Sequence, residues 1–304
     1  NTSHGRYQYV LDFSRKEVVE YIYEMMAKIL SEAKVSYIKW DMNRSITECY
    51  SVALPADRQG EVFHRYILGV YDLYERLTSE FPEVLFESCS SGGGRFDPGM
   101  LYYAPQGWTS DDSDAIERLK IQYGTSLCYP ISSMGSHVSV IPNHQVFRKT
   151  PLHTRANVAY FGTFGYELDL NSLKEEEIAE VKEQIIFMKK YRKLFQFGDF
   201  YRLKSPFEGN ETIWMVVSED KKTAIVGYYR TLNGVNQAYS RIKLQGLDPD
   251  MLYENILNKT ENYGDELMNF GLITTDVTAG EVPGDATPCT DFESRIYILK
   301  AKEK

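Results

Sequence analysis

The sequence predicts an α/β protein: an incomplete (β/α)8 barrel over residues 1–197, followed by an antiparallel β-sandwich over residues 198–304. Two observations carry this. From about residue 7 to residue 165, short apolar runs alternate with amphipathic helical segments, the grammar of βα units around a parallel sheet. From about residue 197 the grammar changes to strand, polar turn, strand, as in antiparallel hairpins. With 304 residues and 43% hydrophobic content, the chain can bury one large core and a smaller one.

Candidate barrel strands fall at residues 8–12, 35–41, 84–88, 107–110, 126–131 and 157–163. The first helix is marked by Ser14 with Glu17 as a capping box, and by Val18, Ile22, Met25, Met26, Ile29 and Leu30 on one face. A second helix spans about residues 61–79. A third starts at Ser172 with Glu175 as capping partner and carries Ile178, Val181, Ile185 and Met188 towards Leu194. Residues 212–217 and 223–229 then form a hairpin around the polar turn 218–222, and residues 295–300 supply a last strand. A complete barrel needs about 250 residues and eight strands, whereas about 195 residues and six candidate strands stand here. Strands buried on both faces leave apolar edges when their neighbours are missing, so a further N-terminal segment is expected to belong to the same protein.

The net charge of -9 comes with interspersed signs and no basic block, which argues against a nucleic-acid partner and for a neutral ligand. Cys49, Cys89, Cys128 and Cys289 make neither a CxxC pair nor a metal spacing, so reduced thiols and a cytoplasmic location are expected. No run of about 18 apolar residues exists, and a membrane partner is not expected. His137 and His144 are expected to hydrogen-bond structurally rather than to ligate metal.

Three strand ends carry chemistry. In residues 35–41 the two-residue period puts Val35, Tyr37, Lys39 and Asp41 on one face. A Lys and an Asp at the C-terminal end of a barrel strand sit where such folds build their sites, and the lysine's charge is expected to keep the carboxylate ionised. Taken alone, the pair is better explained by a structural Lys/Asp ion pair at a strand end. Residues 86–97 place three glycines, Gly92, Gly93 and Gly94, after a strand, letting backbone approach a ligand; the Walker ending is absent. Residues 108–114 set clustered carboxylates beside Trp108, an acid next to a flat apolar ring, as a sugar site requires. Asp112 and Asp114 are expected to cap the following helix, leaving Asp111 for catalysis. Two carboxylates on different strand ends suit glycoside cleavage, and their separation decides between retention and inversion.

The segments Tyr37-Ile38-Lys39-Trp40-Asp41-Met42-Asn43-Arg44, Cys89-Ser90-Ser91-Gly92-Gly93-Gly94-Arg95-Phe96-Asp97 and Trp108-Thr109-Ser110-Asp111 closely resemble the bacterial melibiase-like α-galactosidases of glycoside hydrolase clan D. The likeness continues through Met134-Gly135-Ser136-His137, Pro142-Asn143-His144, Arg155-Ala156-Asn157 and Phe164-Gly165-Tyr166-Glu167-Leu168 into Tyr201-Arg202-Leu203-Lys204-Ser205-Pro206. The resemblance implies a C-terminal portion holding barrel strands 3 to 8, with Asp41 as nucleophile after the fourth strand, Asp111 as acid/base after the sixth, and retention of configuration. It also implies that Lys39, Asn43 and Arg6 bind sugar hydroxyls, that Trp108 walls the pocket, and that Cys89 and Gly92 border the sugar's 2-position. The family's first strands, with a paired-Asp motif and tryptophans that grip the galactose 4- and 6-hydroxyls, have no match here.

The leading expectation is hydrolysis of terminal α-galactosyl groups from oligosaccharides of the melibiose or raffinose type by double displacement, with no cofactor and no metal. A galactosyl-transferring enzyme of the raffinose-synthase type would keep the same residues and change the acceptor. A non-catalytic sugar-binding fragment is the alternative from another class. The oligomeric state stays open, a homo-oligomer included.

Overall fold

The computed structural model describes residues 5–234, 241–274 and 291–302, which fall into two compact units divided between Asp111 and Asp112. In the first unit, helix α1 (Lys16–Glu32) precedes strand β1 (Tyr37–Trp40), α2 (Val62–Glu80) precedes β2 (Leu85–Ser88), and the short α3 (Pro98–Tyr103) precedes β3 (Gln106–Gly107). The strands form a three-stranded parallel sheet in the order β1-β2-β3. One face of this sheet packs on the helices. Trp40 stacks on Tyr74 of α2 at 4.8 Å, and Phe86 meets the same ring edge-on at 5.5 Å. Helix α2 buries Val62, Tyr66, Val70, Leu73, Tyr74 and Leu77, three or four residues apart, as one apolar stripe. Gly69 lets the chain before α1 cross α2, because a side chain there would come within 1.9 Å of the Phe13 carbonyl oxygen.

Two expectations in this unit are corrected. Residues 8–12 form no ladder with any described strand; the only pairing nearby is a bridge between Gly5 and Gln8. Their alternation reflects Tyr9 and Leu11 facing out while Val10 packs inward, which is one-sided burial without a strand neighbour. The Ser14–Glu17 capping box is also absent. Helix α1 starts at Lys16, because the Asp12 carboxylate takes the Ser14 hydroxyl at 2.5 Å and Glu17 turns to Arg15 at 2.6 Å. The helix accordingly faces the core with Val19, Ile22, Tyr23, Met26 and Leu30, leaving Met25 and Ile29 exposed.

The second unit contains α4 (Ala115–Thr125), β4 (Gly135–Ser139), α5 (Leu152–Ala159), β5 (Thr163–Glu167) and the long α6 (Glu175–Phe197), with β4 and β5 pairing in parallel. The strands expected at 126–131 and 157–163 are corrected to β4 and β5. Residues 126–131 close α4 and run through Pro130 into a turn, while the apolar run at 157–161 is the end of α5 and its exit; an apolar run alone does not distinguish a buried helix from a buried strand. Strand β4 is cryptic because its buried serines are polar: Ser136 donates to Gln122 at 2.8 Å and Ser139 to the Ser113 carbonyl at 2.9 Å. Helix α6 starts at Glu175 rather than at Ser172, since the Glu177 carboxylate accepts from the Lys174 N–H at 2.9 Å and Ser172 closes the preceding turn. His137 sits 3.2 Å from Glu167, a structural partner of the expected kind.

Beyond α6, strands β6 (Asp199–Lys204), β7 (Glu211–Val217), β8 (Thr223–Arg230), β9 (Arg241–Ile242), β10 (Leu252–Asn255), β11 (Glu261–Tyr263), helix α7 (Gly264–Asn269), β12 (Leu272–Ile273) and β13 (Glu293–Ala301) complete the unit. A six-stranded antiparallel sheet runs β11-β10-β13-β8-β7-β6, with β7 and β8 forming the expected hairpin. Its core shares residues with the β9-β12 ribbon and α7, through Ile242, Leu272 and Leu267, so the second layer of the expected sandwich is a ribbon and a helix among the described residues. Helix α5 is fastened to this sheet: Thr154 meets Ser294 at 2.9 Å, and Tyr229 donates to the Asn157 carbonyl at 2.6 Å while accepting from the Trp214 N–H at 3.0 Å. The Tyr229 hydroxyl is thus buried and used twice. Tyr229→Phe, which strands the Trp214 N–H, is expected to lower stability by about 1–3 kcal/mol, to be measured by denaturant unfolding; an unchanged midpoint and slope would contradict this pairing.

Candidate active site

Strand register assembles the site. Along β1, β2 and β3, Lys39 pairs with Glu87 and Glu87 with Gln106, so these three side chains form one row on one face of the sheet. Two residues further on, the same alternation brings up Asp41, Cys89 and Trp108. The ladder reaches that level: the Cys89 N–H donates to the Trp40 carbonyl at 2.9 Å, the Met42 N–H to Cys89 at 3.1 Å, and the Trp108 N–H to Ser88 at 2.8 Å. Each candidate therefore leaves a strand end in the same direction.

The turn after β2 touches both aspartates. Ser91 and Gly92 both have positive φ, 45° and 83°, a conformation that strains a serine and suits a glycine. Gly92 is excluded from carrying a side chain a second time, because a Cβ would lie 2.8 Å from the backbone nitrogen of Asp111. The neighbouring Ser91 N–H donates to Asp41 Oδ1 at 3.4 Å. One two-residue turn thus contacts the nucleophile candidate through a hydrogen bond and the backbone of the acid/base candidate through close packing; both side chains are exposed. Beneath the turn, buried Arg95 donates to the carbonyls of Cys89 at 2.8 Å and Trp40 at 3.4 Å, clamping the ends of β1 and β2.

Burial acts to raise the Asp41 pKa, but hydrogen bonds from the Cys89 thiol, the Asn43 side chain and the Ser91 and Met42 backbones outweigh it and hold the carboxyl below its ordinary value. The Cys89 thiol is pushed up to about 11, by burial first and by the adjacent Asp41, against a bond from the Gly92 backbone, so it remains a donor. Asn43 is held in turn by Arg6 at 3.1 Å and Ser91 at 3.4 Å. Arg6 itself sits at φ 54° in the tight turn bridged by Gly5 and Gln8.

Lys39 corrects an expectation. Its ammonium pairs with Glu87 at 3.6 Å and lies 4.7 Å from the centre of the Trp108 ring, and the groups that hold Asp41 down are hydrogen-bond donors rather than this cation. Trp108 and Cys89 are buried, 4% and 3% exposed, so they form the floor of the site. Sequence reasoning missed Glu87, its hydrogen bonds to Tyr37 and Gln106, and the clamp at Arg95. The signal for Glu87 was present: it stands two residues before Cys89, on the same strand face, as Lys39 does before Asp41.

A cleft of about 490 Å³ opens beside β1 and is lined by Val10, Ile38, Lys39, Asp41, Asn43 and Arg95 among others, whereas Cys89, Gly92, Trp108 and Asp111 do not line it. In the second unit, Asp114 does the capping expected of it, accepting from Ile116 and Glu117 and ion-pairing with Arg148, whereas Asp112 caps no helical N–H and instead accepts from the Asp114 N–H at 3.0 Å, holding the capping residue in place. Among the described residues no three His, Cys, Asp or Glu side chains gather as a metal site. What the arrangement offers is one carboxylate kept ionised after β1 and a second after β3, across the intervening β2, a pair able to attack an acetal carbon and to move a proton to or from its oxygen.

Comparison with known proteins matches residues 1–198 to the melibiase family and residues 211–299 to the glycosyl hydrolase family 36 C-terminal domain. The α-galactosidase AgaA of Geobacillus stearothermophilus is 56% identical over 304 residues, 99% of this chain and 40% of that protein. A crystal structure of a variant of that enzyme in complex with raffinose superimposes with a TM-score of 0.92 at 51% identity, covering 99% of this chain and 40% of the other. The α-galactosidase of Lactobacillus brevis gives a TM-score of 0.94 at 50% identity, covering 100% of this chain and 40% of that one. This chain therefore spans about 40% of the length of the relatives it matches.

Removing the thiol with Cys89→Ala takes away a bond that holds Asp41 low, so its pKa is expected to rise. Titration of the Asp41 carboxyl carbon by NMR reads this directly, and an unmoved or lower pKa would contradict the assignment of Cys89 as a donor to Asp41.

Proposed function

The chain belongs to the melibiase family of glycoside hydrolases, and from that premise we propose that it is the C-terminal portion of a retaining exo-α-galactosidase acting on terminal α-galactosyl groups of melibiose- and raffinose-type oligosaccharides. The observation that carries the reading is the Ser91–Gly92 turn, which bonds an ionised Asp41 and packs on the backbone of Asp111. In the first step the Asp41 carboxylate bonds to the anomeric carbon while protonated Asp111 gives its proton to the departing glycosidic oxygen. In the second, Asp111 takes a proton from water as that water's oxygen displaces Asp41 from the same carbon. Retention requires carboxyl groups about 5–5.5 Å apart, and a short turn touching both residues supports such a spacing.

Lys39, Asn43 and Arg6 are proposed to bind sugar hydroxyls beside the nucleophile, Cys89 and Gly92 to border the 2-position, and Trp108 to support the pocket. Asn43 is prepared for this by Arg6 and Ser91, which fix its amide oxygen. The carboxylate pair completes the reaction by itself, so the proposal calls for no cofactor or metal. We assign residues 1–197 to the catalytic barrel and 198–304 to the C-terminal β domain, a division in keeping with the ends of the two family matches at 198 and 211. The parallel strands β1 to β5 are then part of a (β/α)8 barrel whose remaining strands lie in the rest of the longer protein, the partner this portion requires. Free thiols at Cys49, Cys89 and Cys128 support a cytoplasmic setting; Cys289 lies outside the described residues.

In the complete enzyme, Asp41→Asn is expected to abolish turnover of an aryl α-galactoside; substantial residual activity would refute the role of Asp41. Asp111→Asn is expected to lower kcat/KM by about 10²- to 10⁴-fold on an unactivated oligosaccharide and by less on a substrate whose leaving group needs no proton. Equal losses on both substrates would argue against Asp111 as the acid.

A further inference from the structure

Glu87 is a charged group that the proposed reaction does not use. It is 2% exposed, lies one row below Asp41, Cys89 and Trp108, and is held from both strands that flank β2. Its Oε2 accepts from the Tyr37 hydroxyl and, at 3.0 Å, from the Gln106 amide. Its Oε1 accepts no hydrogen bond from any described residue and faces the Lys39 ammonium at 3.6 Å. The Lys39 side chain is 37% exposed where that of Glu87 is 3%, so the pair runs from the sheet's interior out to the site. A buried carboxylate is costly to keep unless it is paired and hydrogen-bonded, and here its partners are Lys39 and Gln106 in its own row and Tyr37 in the row below.

We propose that Glu87 is a positioning residue that acts through Lys39, fixing its ammonium over the Trp108 ring so that a cation stands ready for a sugar hydroxyl beside Asp41. The role rests on the galactosidase reading given above. Tyr37 and Gln106 leave Glu87 only one orientation, with Oε2 turned to them and Oε1 to Lys39. Burial, and then Glu87 itself, push the Tyr37 hydroxyl far above its ordinary pKa, so it stays a donor throughout the working pH range. With Glu87→Gln, the amide oxygen would be retained by Tyr37 and Gln106, and the amide nitrogen would be turned to Lys39. A donor would then face an ammonium, and the ion pair would be lost with hardly any change of shape.

The test is a double-mutant cycle in the complete enzyme, reading kcat/KM on an aryl α-galactoside and the thermal midpoint for wild type, E87Q, K39M and E87Q/K39M. E87Q is expected to lower kcat/KM about 10- to 100-fold, K39M by at least as much, and the double variant to match K39M within about twofold. Glu87→Asp keeps the charge on a shorter stem and is expected to fall between wild type and E87Q with the same cancellation, so the cycle can be closed on it if the glutamine variant does not fold. Losses that multiply in the double variant, or wild-type kcat/KM in E87Q, would overturn the role of Glu87 while leaving the galactosidase reading intact. No turnover by the wild-type enzyme would overturn that reading and this role with it.

Discussion

The parallel register of β1, β2 and β3 is the constraint on which the site depends. Pairing Lys39 with Glu87 and Glu87 with Gln106 fixes which residues share a face, and so commits Asp41, Cys89 and Trp108 to emerge side by side two residues later. A slip of one residue would turn every one of these side chains to the helix-covered face. The register is guarded from that face, where Trp40 and Phe86 both pack on Tyr74. It is also guarded at the strand ends, where Arg95 holds the last carbonyl of β1, that of Trp40, and the carbonyl of Cys89 just after β2. The strained Ser91 and the side-chain-free Gly92 then close the distance to Asp111, a use of backbone strain where several contacts over-determine it.

The electrostatic design separates two tasks. Asp41 is kept ionised by neutral donors, the Cys89 thiol, the Asn43 amide and two backbone N–H groups, against a burial that favours protonation. The one cation on that strand face, Lys39, is committed to Glu87 and to the Trp108 ring. A nucleophile held by hydrogen bonds to neutral groups remains available for a carbon electrophile, whereas a direct ion pair with lysine would have to be broken for attack. In the proposed reaction the cation is thereby left for recognition and the anion for chemistry.

The site was more legible in the sequence than the fold around it. Lys39 and Asp41 could be read from a two-residue period, and Asp111 could be told from Asp112 and Asp114 because the latter two precede a helix that needs a cap, which Asp114 supplies while Asp112 holds the Asp114 N–H. The glycines marked a close approach without saying of what; Gly92 turns out to pack on Asp111's own backbone. Strands β4 and β5 were misplaced for a physical reason. Their polar and small residues are satisfied by buried bonds such as Ser136 to Gln122, while the apolar signal lay in helix α5. Residues 8–12 alternate as a strand would, yet alternation reports which side is buried and not whether a neighbour exists to pair with. The two-residue period puts Glu87 on the face of Cys89, but its partners Lys39, Tyr37 and Gln106 stand on other strands, and those pairings cannot be seen until register is known.

The central claim is that Asp41 forms a covalent bond to the sugar. Incubating the complete enzyme with a slow 2-deoxy-2-fluoro-α-galactosyl substrate, followed by peptide mapping, tests it most directly. The expected result is a single fluorogalactosyl adduct on the peptide containing Asp41; an adduct on any other residue, or inactivation without an adduct, would contradict it.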